Sequence, residues 1–110
     1  MKLAVFHLKA RDTIRTFPED VRREFGKVIF DLQKGEKLSM PLSRPMSSVA
    51  PGVEELRIRD RSGAYRVFYY TKLADSLLIF HAFEKKTQKT PPHEITLAQK
   101  RLKEILDEES

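Results

Sequence analysis

Val53-Glu54-Glu55-Leu56-Arg57-Ile58-Arg59-Asp60-Arg61-Ser62-Gly63-Ala64-Tyr65-Arg66-Val67-Phe68-Tyr69-Tyr70 is the stretch whose reading decides the fold. Apolar Leu56 and Ile58 alternate with basic Arg57 and Arg59, which predicts a strand over 54–60 with one buried and one wet face. Residues 64–71 are aromatic and β-branched, as strands prefer. A third strand is expected over 77–83, apolar at nearly every position from Leu77 to Phe83. Such a strand belongs inside a sheet, covered on both faces.

The turn between the first two strands holds Asp60, Arg61, Ser62 and Gly63, with glycine available for a positive φ. A loop with an even number of residues, Ser62-Gly63 in the simplest case, puts Leu56 and Ile58 on one face with Tyr65, Val67 and Tyr69. Arg57, Arg59 and Arg66 then share the other face with Phe68 and Tyr70. An odd loop without a bulge scatters both sets, because a one-residue slip turns side chains to the opposite face. Spacing alone leaves open whether that basic face holds an anion or is simply solvated.

The chain has 110 residues, which predicts one domain with enough length for a core. It has no cysteine, so neither a disulfide framework nor thiol chemistry is expected. The opening Met1-Lys2-Leu3-Ala4-Val5-Phe6-His7 is apolar too briefly for a signal peptide or a membrane span, and a cytoplasmic protein is expected. The net charge is +5, with the basic excess ahead of residue 90. That balance suggests a polyanionic partner, either nucleic acid or an acidic protein.

Residues 3–7 read as a short strand and residues 9–17 as a short helix. Pro18 breaks the pattern and suits the first turn of a second helix, where its missing N–H costs little. Glu19 and Asp20 suit the positive end of that helix. Over 21–34, Val21, Phe25, Val28, Ile29 and Leu32 form one apolar stripe, and Gly35 is a ready C-terminal cap. Gly26 inside this helix costs about 1 kcal/mol against alanine, which suggests a close neighbour. The two helices are expected as an antiparallel hairpin laid on the sheet. Residues 36–52 carry Pro41, Pro45 and Pro51 and show no period, so a long irregular connection is expected. Thr90 can cap a final helix with Pro91 at its first position. Ile95, Ala98, Leu102, Ile105 and Leu106 give that helix its apolar stripe, and its acidic end should fray. No repeat or linker divides the chain.

Several of these segments together resemble the phage-derived HigB-like branch of the RelE/ParE toxin superfamily. They are Glu55-Leu56-Arg57-Ile58-Arg59, Gly63-Ala64-Tyr65-Arg66-Val67-Phe68-Tyr69, and His81-Ala82-Phe83-Glu84-Lys85-Lys86-Thr87-Gln88-Lys89-Thr90-Pro91. Glu94-Ile95 and Leu97-Ala98-Gln99-Lys100-Arg101-Leu102 complete the set, and the likeness covers nearly the whole chain. The resemblance implies an α+β fold of two N-terminal helices on a twisted antiparallel sheet, with a C-terminal helix. It implies the toxin of a type II toxin–antitoxin pair, usually a ribosome-dependent messenger-RNA endonuclease, partnered by a helix-turn-helix antitoxin. ParE-like relatives share the fold and inhibit DNA gyrase instead, so the fold alone does not choose the activity. Some nucleases of the superfamily use a His or Tyr near the C-terminus. Here only His93 comes near that place, and it precedes the last helix.

RNA cleavage of this type needs no metal. The 2′-OH attacks its own phosphate while the protein moves protons and stabilises the phosphorane. Arg57 and Arg66 suit the phosphorane, because the guanidinium fork matches phosphate oxygens. Lys85 is the candidate acid or base, its pKa depressed by cations such as Lys86 and by burial. Arg59, Arg61, Lys86 and Lys89 suit backbone phosphates, and Gln88 a base or ribose. His81 lies in an apolar strand and reads as a packed, hydrogen-bonded histidine. Tyr70 on the basic face is a stacking candidate. No His, Cys and carboxylate spacing reads as a metal site, and neither a serine nucleophile motif nor a phosphate-cradling glycine loop is present, so no cofactor is expected.

Overall fold

The computed structural model describes residues 1–109. The elements run β1 (Leu3–Phe6), α1 (Leu8–Arg15), α2 (Glu19–Gln33), β2 (Ser43–Pro45), β3 (Val53–Asp60), β4 (Gly63–Tyr70), β5 (Ser76–Lys85) and α3 (Pro92–Glu109). They build one five-stranded sheet in the order β1-β5-β4-β3-β2. β2, β3, β4 and β5 are antiparallel neighbours, whereas β1 pairs in parallel with β5, so the sheet is mixed. The long chain between β1 and β5 is what permits a parallel pair.

The sheet is covered on both faces. On one, Val21, Phe25, Val28, Ile29 and Leu32 of α2 and Ile14 of α1 pack on Leu56, Ile58, Tyr65, Val67 and Tyr69. On the other, Ala98, Leu102 and Ile105 of α3 pack on Val53, Phe68, Leu78, Phe80 and Phe83. β5 is buried from Leu77 to Phe83, because it is interior to the sheet and a bulge at Phe80 changes its register against β4.

Leu56 stands opposite Val67 and Arg57 opposite Arg66, the shared faces that an even loop gives. The loop itself is Arg61-Ser62, one position earlier than the simplest reading, and Asp60 pairs with Gly63. The Asp60 carboxylate closes it by accepting from the Ser62 amide (2.8 Å), the Ser62 hydroxyl (2.6 Å) and the Gly63 amide (3.2 Å). A side chain thus does the work expected of glycine.

Both N-terminal helices lie on the sheet as expected, α1 against β5 and α2 against β3 and β1. Other expectations need correction. Gly26 faces solvent, and a Cβ there would meet nothing within 4 Å, so no close neighbour explains it. Residues 36–52 contain β2, held on the edge of β3. Gly35 does end the α2 region, with φ of 94° and its amide on the Leu32 carbonyl, 3.0 Å. α3 begins at Pro92 and continues through Glu109, and the Thr90 hydroxyl serves another partner.

Candidate functional site

The register lays three rows of side chains across the face that α3 covers in part. Arg44, Glu55, Phe68 and His81 form the first row; Arg57, Arg66 and Phe83 the second; Arg59, Ala64 and Lys85 the third. Arg57 and Arg66 stand directly opposite one another, an arrangement of like charges that is unfavourable by itself.

Glu55 is the compensating charge. It is fully buried at 0% exposure, and one of its oxygens, Oε1, faces three guanidiniums. The Nε atoms of Arg44, Arg66 and Arg57 lie 3.4, 3.9 and 4.0 Å from it. These are ion-pair distances without hydrogen bonds: Oε1 and all three Nε atoms are buried and, among the described residues, lack a hydrogen-bond partner. The second oxygen, Oε2, accepts from the Thr90 hydroxyl at 3.2 Å. Three guanidiniums around one carboxylate leave positive charge in surplus. A partly buried surplus of that sign is complementary to an anion.

Burial across the basic face is uneven: the Arg44 and Arg57 side chains are 40% and 27% exposed and Arg59 is exposed, whereas Arg66 is buried. Arg66 is 4% exposed, and its Nη1 donates to the Tyr65 carbonyl at 3.2 Å. Burial is the first cause that lowers its pKa; Glu55 acts in the opposite sense, and Arg57, Arg59 and Arg44 lower it further. Beside these guanidiniums runs a groove of about 300 Å3, lined by Pro41, Leu42, Arg57, Arg59 and Arg66. Leu42 is fixed there by its carbonyl, which accepts from the Arg57 amide at 2.8 Å.

Lys85 closes the set. Its pKa is lowered, first by desolvation and then by Arg66; Glu55 raises it, and Arg44 and Arg57 lower it. The direction is the one expected from sequence, but the cations responsible are arginines across the sheet, and Lys86 is not among them. Arg57, Arg59, Arg66 and Lys85 thus come together. Arg61 stands exposed at the hairpin tip. Lys86, Gln88 and Lys89 are exposed on the segment after β5, and among the described residues their side chains make no hydrogen bond or ion pair.

Sequence reasoning missed Arg44 and Glu55. Arg44 lay in a stretch without period. Glu55 did carry a signal: its side chain follows Val53 and precedes Arg57 on the same face, a carboxylate set among cations.

A second polar cluster lies under α3. Buried His81 is held between Glu94, 2.7 Å from Nε2, and Arg101, whose Nη1 donates to Nδ1 at 2.8 Å. Arginine can only donate, so Nδ1 carries no proton and Nε2–H donates to Glu94. Burial first, and Arg101 with it, lowers the His81 pKa, while Glu94 opposes them. With both nitrogens occupied and Phe68 and Phe83 against the ring, His81 locks α3 to the sheet. Tyr70 is half-buried against the same apolar cluster. Among the described residues, no three His, Cys, Asp or Glu side chains group as metal ligands, and no helix is long and apolar enough to cross a membrane.

Residues 12–103 match the family described as Phage derived protein Gp49-like (DUF891), which spans every element from α1 into α3. No curated protein matches the chain.

Proposed function

From the premise that the chain belongs to the Gp49-like family of phage-derived proteins, a family associated with toxin–antitoxin systems, we propose that it is a messenger-RNA endonuclease of the HigB-like kind. The observation that carries this reading is the surplus of guanidiniums around buried Glu55, beside a lysine whose pKa is lowered. In the proposed reaction the ribose 2′-oxygen attacks the adjacent phosphorus and the P–O5′ bond breaks. The products are a 2′,3′-cyclic phosphate and a free 5′-OH. Arg57 and Arg66 hold the phosphorane oxygens, where charge develops. Lys85, as the neutral amine, takes the 2′-OH proton, its lowered pKa raising the neutral fraction, and a solvent proton reaches the departing 5′-oxygen to complete the 5′-OH. Arg59 and Arg61 hold flanking phosphates at the hairpin, and Lys86, Gln88 and Lys89 meet the RNA from the segment after β5. The substrate is message on the ribosome, and a helix-turn-helix antitoxin silences the protein.

Induction in a bacterial host followed by mapping of transcript ends tests this. Cuts within translated codons, lost in Lys85→Met, are the expected result. Intact messages accompanied by broken DNA would overturn the endonuclease reading in favour of gyrase inhibition.

A further inference from the structure

Glu55 needs a reason to be where it is. Its row continues into Phe68, and Val53 lies two residues before it on the same face, so an apolar side chain would pack there. A buried ion pair seldom stabilises a fold more than such a replacement. Nor does Glu55 repay its burial with hydrogen bonds to the arginines, since Oε1 makes none. What its position does achieve is geometric. Thr90 fixes Oε2, and that orients Oε1 toward three Nε atoms contributed by β2, β3 and β4. Arg57 and Arg66 face one another and would otherwise splay apart; the carboxylate draws both toward one point. Arg44 is brought to the same point by a three-residue strand whose register sets it opposite Glu55.

We infer that Glu55 is the positioning residue of this site, gathering Arg44, Arg57 and Arg66 by their Nε edges so that their outer nitrogens converge on one phosphodiester. Arg44 is then the third phosphate ligand. The inference rests on the endonuclease reading for its substrate, and it also reaches Lys85. Among the groups that act on that amine, Glu55 favours its protonation while Arg66, Arg44 and Arg57 oppose it.

Glu55→Gln keeps the shape and an acceptor for Thr90 but removes the charge. If Glu55 were only a counter-ion, its loss would tighten RNA binding and leave cleavage at saturating RNA unchanged. A positioning role predicts a different split. Affinity for a short RNA is kept or improved, single-turnover cleavage at saturating RNA falls at least about tenfold, and the rising limb of the pH–rate profile moves to lower pH. A saturating rate within about twofold of the parent protein overturns the proposal. Arg44→Ala should weaken RNA binding about tenfold, the scale of one charge-assisted contact; unchanged affinity removes Arg44 from the site. Should Glu55→Gln fail to fold, Thr90→Val frees Oε2 at a half-buried position and must lower the saturating rate in the same sense; an unchanged rate again refutes positioning. If the parent protein cuts no RNA, the endonuclease reading fails alone. The proposal is then read by titrating inorganic phosphate and following the arginine Nε–H resonances by NMR. Arg44, Arg57 and Arg66 should respond with one common dissociation constant in the parent and lose that common response in Glu55→Gln. Separate responses in the parent refute a shared cradle.

Discussion

Arg66→Met should give a protein that is more stable than its parent and inactive. Arg66 sits at 4% exposure, so its charge has left water, and the effective penalty for that is several kcal/mol. Its attraction to Glu55 at 3.9 Å amounts to ~4 kcal/mol at an effective dielectric of about 20. Glu55 also attracts Arg44 and Arg57, however, and both of those cations repel Arg66, as does Arg59. The lowered pKa of Arg66 gives the sign: the fold disfavours the charged form, so the charge costs stability at every accessible pH. Methionine keeps the packed stem and removes the charge, while Arg44 and Arg57 continue to neutralise Glu55. Against this stands one lost hydrogen bond to the Tyr65 carbonyl, about 1 kcal/mol. The balance is a gain of ~1–3 kcal/mol, the range seen when buried charges give way to apolar residues. In a domain of this size that raises Tm by ~5–15 °C. Arg66→Ala forfeits the buried stem as well, about 2 kcal/mol, and should fall below methionine. Urea and thermal unfolding of the three proteins in low phosphate measure the order, and transcript cleavage measures the loss of function. A methionine variant less stable than the parent by more than about 1 kcal/mol would refute the claim that this charge strains the fold.

Three further outcomes are expected. Gly26→Ala should stabilise α2 by about 1 kcal/mol in urea unfolding without change in activity, since its Cβ meets nothing within 4 Å; a loss of stability would mean that the position is constrained. The cleavage rate should rise with pH along a limb whose apparent pKa lies below the ordinary lysine value of 10.5, and Lys85→Arg should abolish that limb; the same limb in Lys85→Arg would assign the proton transfer elsewhere. Stability should decline as pH falls below the ordinary histidine value of 6.5. His81 has a lowered pKa between Glu94, Arg101 and His7, so the unfolded chain binds its proton first. The decline continues until the folded-state pKa is passed, and His81→Gln should lack this component in urea unfolding from about pH 8 to about pH 5.

The fold was legible because its decisive elements carry strong periods. The alternation through Leu56, Arg57, Ile58 and Arg59 assigned faces correctly, and an even loop was enough to place Arg57 beside Arg66. The exact loop was not legible, since it depends on the Asp60 carboxylate turning back on the chain. β2 escaped because three residues ending in proline have no period to read, yet that strand delivers Arg44. Period gives a face but not a depth. Nothing in the alternation shows that Thr90 would reach Glu55 or that Arg66 would be buried.

Glu55 joins these parts into one device. Its cations arrive from β2, β3 and β4, and its second oxygen is held by Thr90, just ahead of α3. Pairing with β3 holds Arg44 at the cradle, while the segment ahead of α3 fixes the carboxylate. The irregular stretch from 36 to 52 is thus part of the site, and its two ends serve different tasks: Pro41 and Leu42 line the groove, Arg44 enters the cradle, and Met46 and Val49 pack under α3. A small sheet gains nothing in stability from setting Arg57 opposite Arg66. It keeps that arrangement at a buried carboxylate because an anion arriving in the groove meets guanidiniums already gathered, one of them, Arg66, already out of water, where a contact is worth more than at an exposed surface. The surplus charge that strains the fold is the same charge that a phosphate relieves. Phosphate or RNA should therefore raise the Tm of the parent protein and leave Arg66→Met nearly unmoved; an equal rise in both would place the anion outside the cradle.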